Sequence, residues 1–218
     1  MVFCLCSLIR IFGVTFFGIL TFAFADATDL KDLKDCRHPR PMSNFDSKNF
    51  LTSTWYVTHA LLGSNSTVCR RYKTSLTGDT IKLDGDGYYT ISEDLTLFTK
   101  VRCKGLKNKT EHCGKLSLAC KQTGEELERT IKFELDVTIL ETDYTKFAVM
   151  YRCVKFPLET GILIEDNVLV LHRTYTIKNE LDPKISETLE KQELDLDEFR
   201  SRKGVKCQRR PKKNKVKK

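Results

Sequence analysis

The sequence predicts a mainly β protein, an eight-stranded antiparallel up-and-down barrel with one C-terminal α-helix packed on its outside. Three observations lead there. From about Thr54 to Tyr175 the chain is a succession of short segments rich in Val, Ile, Thr, Tyr and Phe, divided by Gly, Asp and Asn clusters at the spacing of antiparallel strands. Apolar and polar residues alternate within them. The clearest case sets Ile131, Phe133, Leu135, Val137 and Ile139 against Lys132, Glu134, Asp136 and Thr138, which gives one dry face and one wet face. Beyond Tyr175 the period lengthens to that of a helix. A long meander closed by one outer helix is the arrangement of such a barrel, whose interior holds one small ligand.

The elements follow in order. Residues 1–25 read as a cleavable secretory signal, with Arg10 ahead of an apolar run from Ile11 to Phe24 and the small-x-small site Ala23-Phe24-Ala25, which places the cut before Asp26. The alternative is an uncleaved anchor, but the run is shorter than the roughly 20 apolar residues a bilayer needs. Residues 26–207 then form the barrel domain and 208–218 a basic tail. After a polar lead, strands are expected at about Thr54 to Leu61, Cys69 to Leu76, Thr80 to Leu83, Tyr88 to Ser92, Leu95 to Lys104 and Lys115 to Lys121. Thr130 to Leu140 and Phe147 to Phe156 follow as two long strands joined at Glu141-Thr142-Asp143, and Asn167 to Tyr175 ends the meander. Asp182-Pro183 opens the helix, with Ile185, Leu189 and Gln192 at helical spacing and a second amphipathic piece from Leu194 to Phe199.

Charge and cysteines bound the class. The formal net charge is +8. Removing Arg10 and the seven basic residues from Arg209 onward leaves a near-neutral body, so the tail is either a solvated extension or a dock for an anionic extracellular surface. Nucleic acid is not expected as a partner, since the body lacks a repeat of basic and aromatic residues. Of nine cysteines, Cys4 and Cys6 leave with the signal. The other seven make a disulfide framework with one left over. Leu97, Thr99, Val101 and Cys103 share one face, as do Leu116, Leu118 and Cys120, so a hairpin turning around Asn108 to Lys115 sets Cys103 opposite Cys120 and leaves Cys113 in the turn. A Cys103 to Cys113 bond, which only tethers the loop, is the alternative. The sequons Asn65-Ser66-Thr67 and Asn108-Lys109-Thr110 mark Asn65 and Asn108 as glycan acceptors on exposed loops.

No catalytic constellation is visible. Glu111, His112 and Cys113 are adjacent in a loop without a supporting base or orienting group, zinc-ligand spacing is missing, and no Gly-rich phosphate loop occurs. We expect a non-enzymatic protein without metal or cofactor.

The segment Ser53-Thr54-Trp55-Tyr56-Val57-Thr58-His59-Ala60 resembles the first-strand signature of lipocalins, in which a Gly-x-Trp motif opens the barrel and its Trp plugs the closed end; here Ser53 stands in the Gly place. Ser66 to Arg70, Leu140 to Tyr144, Ala148 to Val154, Glu165 to Leu171 and the late Cys207 extend the likeness along nearly the whole mature chain. Together they resemble the salivary lipocalins of blood-feeding triatomine bugs, and within them the pallidipin and triplatin group. The resemblance implies disulfides between Cys36 and Cys153 and between Cys69 and Cys207. It also calls for a test of haem, which the related nitrophorins carry on a barrel histidine. The corresponding stretch, Thr80 to Asp94, has Tyr88 and Tyr89 but no His, so haem is not expected.

An inward Trp55 takes Val57, His59 and Leu61 with it at period two. If Cys69 points outward to meet the C-terminal segment, Arg70 and Tyr72 point inward; the alternative for Arg70 is solvent at the barrel mouth. A carboxylate against Arg70, with its hydrocarbon along Phe133, Leu135, Phe147 and Tyr151, would satisfy both an unpaired cation and an apolar cup. The resemblance thus implies a secreted monomer that sequesters a small hydrophobic or amphipathic host mediator, thromboxane A2 or a related eicosanoid, and inhibits platelet aggregation. Its alternatives are an outer-surface inhibitor of a clotting or contact-system factor and a binder of another small ligand such as a biogenic amine.

Overall fold

The alternating segments close into one sheet. The computed structural model describes residues 35–92, 95–107, 113–125, 127, 130–159, 161–176 and 181–209. The expected signal segment, Asn108 with its sequon, Glu111, His112 and the residues from Arg210 onward lie outside the described residues. Strands β1 (Thr54–Ala60), β2 (Arg71–Thr77), β3 (Thr80–Ser92), β4 (Leu95–Leu106), β5 (Lys115–Gly124), β6 (Ile131–Thr142), β7 (Phe147–Leu158) and β8 (Gly161–His172) pair antiparallel with their sequence neighbours, and β1 also pairs with β8, which closes an eight-stranded barrel. A two-residue strand, β9 (Arg200–Ser201), takes over from β2 as the partner of β1 at His59 and Ala60. No helix among the described residues is long and apolar enough to cross a membrane.

Several elements depart from their expected bounds for local reasons. The segments expected at Thr80 and Tyr88 are one strand, because the ladder with β4 runs without a break through Gly85 and Gly87, while β2 pairs with it as far as Asp86. Strand β2 starts at Arg71 and not at Cys69, since α2 (Asn65–Val68) makes a helical turn that ends on Cys69. The turn between β6 and β7 is set by the Asp143 carboxylate, which accepts from the backbone N–H groups of Thr145, Lys146 and Phe147. Desolvation opposes ionisation of Asp143, yet these bonds prevail and hold its pKa below the usual carboxylate value. Helix α3 (Pro183–Glu190) has Asp182 as N-cap and Pro183 in its first turn; it stops before Gln192, and the Leu194 to Phe199 piece carries a 3-10 turn at Leu196–Glu198.

Two apolar clusters sit on opposite sides of the wall. The inner one fills the barrel with Trp55, Val57, Leu83, Val101, Leu135, Ile139 and their neighbours. The outer one packs Ile185 and Leu189 of α3, with Phe199, onto Phe147, Val149, Tyr151 and Val170. One end of the barrel is shut. A short helix, α1 (Ser47–Phe50), lays Phe50 against Trp55 with ring centroids 5.1 Å apart, and the indole Nε1 donates to the Phe50 carbonyl at 3.1 Å. From outside, the Arg173 guanidinium lies 3.6 Å from the Trp55 ring centroid and donates to the carbonyls of Thr52, Asn49 and Phe50. Ser53 adopts φ +59, the left-handed conformation that a glycine at this place would take without strain.

Disulfides join Cys36 to Cys153, Cys69 to Cys207 and Cys103 to Cys120. The first two pin the N-terminal lead and the C-terminal segment to the wall across 117 and 138 residues, each loop closure restricting the unfolded chain by about 2–4 kcal/mol. The third links directly opposed residues of β4 and β5. Cys113, half-buried, lies outside these three bonds.

Candidate functional site

Register decides which side chains face the interior. Opposed residues of neighbouring strands share a face, so tracing pairs around the barrel from Trp55 through Tyr72, Gly85, Val101 and Gln122 to Ile131 follows the inner wall. Phe133 and Leu135 lie on that wall and are buried in the inner cluster. Arg70, two residues before Tyr72 and just ahead of β2, turns to the same side, with its stem near Gly87 and its guanidinium over Tyr89.

Four expected lining residues do not reach the interior. A bulge between Val57 and His59 shifts the register against β8, so that Ala60 joins the inner cluster and His59 turns outward opposite Val170. His59 is 7% exposed, and burial together with nearby His172 lowers its pKa to about 4. Leu61, expected on the same face as Trp55, packs instead against the outer cluster. Phe147 and Tyr151 also belong to the outer cluster, since Ala148, Met150, Arg152 and Val154 take the inward positions of β7. The Tyr151 hydroxyl donates to Asp166, which also accepts from Arg37, at the edge of a small outer cavity of about 170 Å³. Burial and the Asp166 charge push the Tyr151 phenol upward.

The inward turn of Arg152 is the main finding. It faces Val137 across the strand pair and donates from Nη2 to Glu165 Oε1 at 2.6 Å, with 9% of its side chain exposed against 23% for Glu165. Arg70 approaches from the opposite wall and lays its guanidinium 4.1 Å from the Tyr89 ring centroid. Tyr72 and Tyr89 stand close enough to both groups to bind them into one electrostatic cluster. Burial pulls Arg152 toward neutrality, but Glu165 and the tyrosines more than offset it and raise its pKa. Tyr89 is held neutral by burial, against the pull of Arg70. Among the described residues, neither Arg70 Nε nor Arg152 Nε meets an acceptor, although both atoms are sealed from solvent.

Of the two arginines only Arg152 is paired with the single carboxylate, and the inner face around them is apolar and aromatic apart from polar side chains such as Gln122 and Thr99. The imbalance is one positive charge, and two buried donors are unsatisfied. A buried unpaired cation is costly, and a single anionic group would complete the set. A carboxylate suits guanidinium geometry in particular. Gly85 makes room for the cluster, since a Cβ there would stand 3.3 Å from the Tyr72 ring; one on Gly87 would meet the Arg70 stem at 3.5 Å, an ordinary contact.

Sequence reasoning missed Arg152, Glu165 and Tyr89. The signal for the first was present: Arg152 shares parity with Ala148, Met150 and Val154, and a charged residue within an apolar alternation points into the cup. Glycines at period two in β3 were the second signal, since they mark a wall that something large lies against. Elsewhere, Asn65 is exposed on α2 and accepts from Arg200. No group of three or more His, Cys, Asp or Glu side chains poised for a metal occurs among the described residues.

Comparison with known proteins agrees with this architecture. The Triabin family model matches residues 25–189. Triafestin-2 of Triatoma infestans is 46% identical over 95% of this chain and 98% of its own length, and triafestin-1 of the same species is 48% identical over 89% and 91%. Pallidipin of Meccus pallidipennis is 30% identical over 90% and 96%, which supports the pallidipin-like group its motifs suggested, and the two triafestins match at higher identity. Among solved structures, the tryptamine complex of the amine-binding protein of Rhodnius prolixus superposes with a TM-score of 0.64 at 22% identity, covering 79% of this chain and 89% of the other. A complex of LTBP1 with leukotriene C4 gives 0.52 at 24% identity over 78% and 91%. Family model, full-length relatives and shared barrel agree, and the chain belongs to the triabin family of triatomine salivary lipocalins.

Proposed function

We propose that the protein is a secreted, non-catalytic scavenger that holds a small anionic amphipath in its barrel, with thromboxane A2 or a related eicosanoid as the ligand and reduced platelet aggregation as the result. The observation that carries this reading is the surplus of guanidinium over carboxylate at Arg70, Arg152 and Glu165, with the Nε of each arginine buried and without an acceptor. The acid head of the ligand takes the two unsatisfied Nε donors, and its chain runs along Phe133, Leu135 and Val154. Solved relatives of the fold hold tryptamine and leukotriene C4, so the barrel accommodates both an amine and an acid. Here the acid is favoured, because Glu165, which an amine would need, is already engaged by Arg152. Action by sequestration is stoichiometric and depends on tight binding.

Calorimetry of the full secreted chain with a stable thromboxane mimic, leukotriene C4 and tryptamine tests the proposal. Heat with the acids, lost in Arg70→Ala and Arg152→Met, is expected. Tighter binding of tryptamine than of either acid overturns it.

A second reading has an observation of its own. A cleft of about 580 Å³ outside the barrel, lined by Tyr175, Arg202, Lys203 and Arg209 among others, offers cations to an acidic protein surface such as that of a clotting or contact-system factor. Prolonged contact-activated clotting that survives Arg70→Ala and disappears in Arg202→Ala with Lys203→Ala would select it.

A further inference from the structure

The outer wall of the barrel carries a charge pattern that folding does not explain. Across β2 to β6, opposed outward residues form rows perpendicular to the strands. One row reads Lys73, Asp84, Arg102, Lys121, Lys132. In the next, Lys82 faces Lys104 directly. Arg102 is held by Asp84 and Asp86. Lys82, Lys104, Lys121 and Lys132 are all exposed, and among the described residues none of the four forms an ion pair. Arg102 opposite Lys121, Lys121 opposite Lys132 and Lys82 opposite Lys104 are like-charge cross-strand pairs, an arrangement that destabilises a sheet. A wall built for stability alone would alternate the signs.

We propose that this face binds a linear sulfated polysaccharide laid across the strands. At about 4.8 Å per strand the row from β2 to β6 is roughly 19 Å long, and it wraps a convex wall. A flexible polyanion can follow that curve and meet each cation in turn, whereas a flat anionic bilayer would touch only the crest. The rows carry no aromatic side chain on which nucleic acid bases would stack.

The described chain ends near the same wall: the Tyr88 hydroxyl, on the outer face of β3, donates to the Arg209 carbonyl at 3.1 Å. Arg210, Lys212, Lys213, Lys215, Lys217 and Lys218 follow in sequence. The cationic wall is independent of the barrel interior. Its use would be retention on sulfated glycans while the cup takes its ligand.

Salt-gradient elution from immobilised heparin and a heparin-oligosaccharide titration test this on the full secreted chain. Replacing Lys82, Lys104, Lys121 and Lys132 by Gln is expected to weaken binding at least about 30-fold, in keeping with several-fold per cation facing a polyanion. The same four positions as Arg should hold affinity within about threefold. Because the Gln variant relieves like-charge pairs, its melting temperature should not fall, which separates lost binding from lost structure. Unchanged heparin affinity in the Gln variant overturns the wall as the site. Tighter binding of the native chain to phosphatidylserine vesicles than to the oligosaccharide overturns the choice of partner.

Discussion

Arg152→Met removes a guanidinium from inside the barrel and leaves Glu165 behind it. The pair is close, 2.6 Å from Nη2 to Oε1, and the arginine side chain is only 9% exposed. Breaking a buried pair by deleting one partner costs about 3–5 kcal/mol, mainly because the surviving charge loses its partner. Glu165 keeps 23% of its side chain in solvent, so the lower end applies and a loss of about 3 kcal/mol is expected. Adding Glu165→Gln removes the stranded charge. The double variant should return to within about 1 kcal/mol of the native chain, a recovery of about 2 kcal/mol over the single variant. Urea unfolding followed by the emission of Trp55, the chain's single tryptophan, reads both quantities at constant m-value. Binding should move in parallel for a different reason: the single variant leaves the cup neutral, while the double variant keeps the surplus positive charge on Arg70. Affinity for the acid ligand should therefore collapse in the first and partly recover in the second. A double variant as unstable as the single one would refute the claim that stranded charge sets the cost.

Three further outcomes can be checked. His59 is buried neutral with its pKa lowered to about 4 from 6.5; the unfolded chain takes up that proton first, so stability should fall as pH drops from 6.5 toward 4 and then level off, by about 3 kcal/mol in all. His59→Gln should flatten that segment of the stability profile, and an identical acid sensitivity in the variant would contradict the assignment. Arg173→Met strips the cation and its carbonyl bonds from the Trp55 plug; a loss of about 2 kcal/mol with a red shift in native emission is expected by fluorescence-monitored urea unfolding. Gly105→Ala would set a Cβ 2.4 Å from the Ser117 carbonyl and force β4 from β5, lowering stability by about 1–3 kcal/mol, which calorimetric melting would show.

Legibility along the chain follows the outer covering of the barrel. Where the outer face meets water, as from Lys115 to Lys121 and Ile131 to Asp136, apolar and polar residues alternate, and both the strands and the opposition of Cys103 to Cys120 can be read from parity. Where α3 and the N-terminal lead cover the wall, the signal vanishes. Every residue from Phe147 to Val154 is buried, so inner and outer faces are both dry or paired, and nothing local tells Phe147 from Ala148. The assignment of Phe147 and Tyr151 to the interior failed there. His59 was lost for another reason: one inserted residue in the ladder of β1 reverses parity beyond it, and only pairing with β8 reveals the insertion. Arg70 could be reasoned inward because Cys69 had a partner to meet. Its counterpart Arg152 shares parity with Ala148, Met150 and Val154, but its partner Glu165 reaches it only through the hairpin of β7 and β8.

The two long disulfides overlap along the chain, one enclosing residues 36–153 and the other 69–207. Any single peptide-bond cleavage between Cys36 and Cys207 therefore falls within at least one covalent loop and releases no fragment. A host protease that nicks a hairpin of this barrel produces a two-chain molecule of the same mass plus one water, with its strands still paired and its cup still assembled. Separation of the chain into fragments in a proteolytic medium would require a second cut or prior reduction.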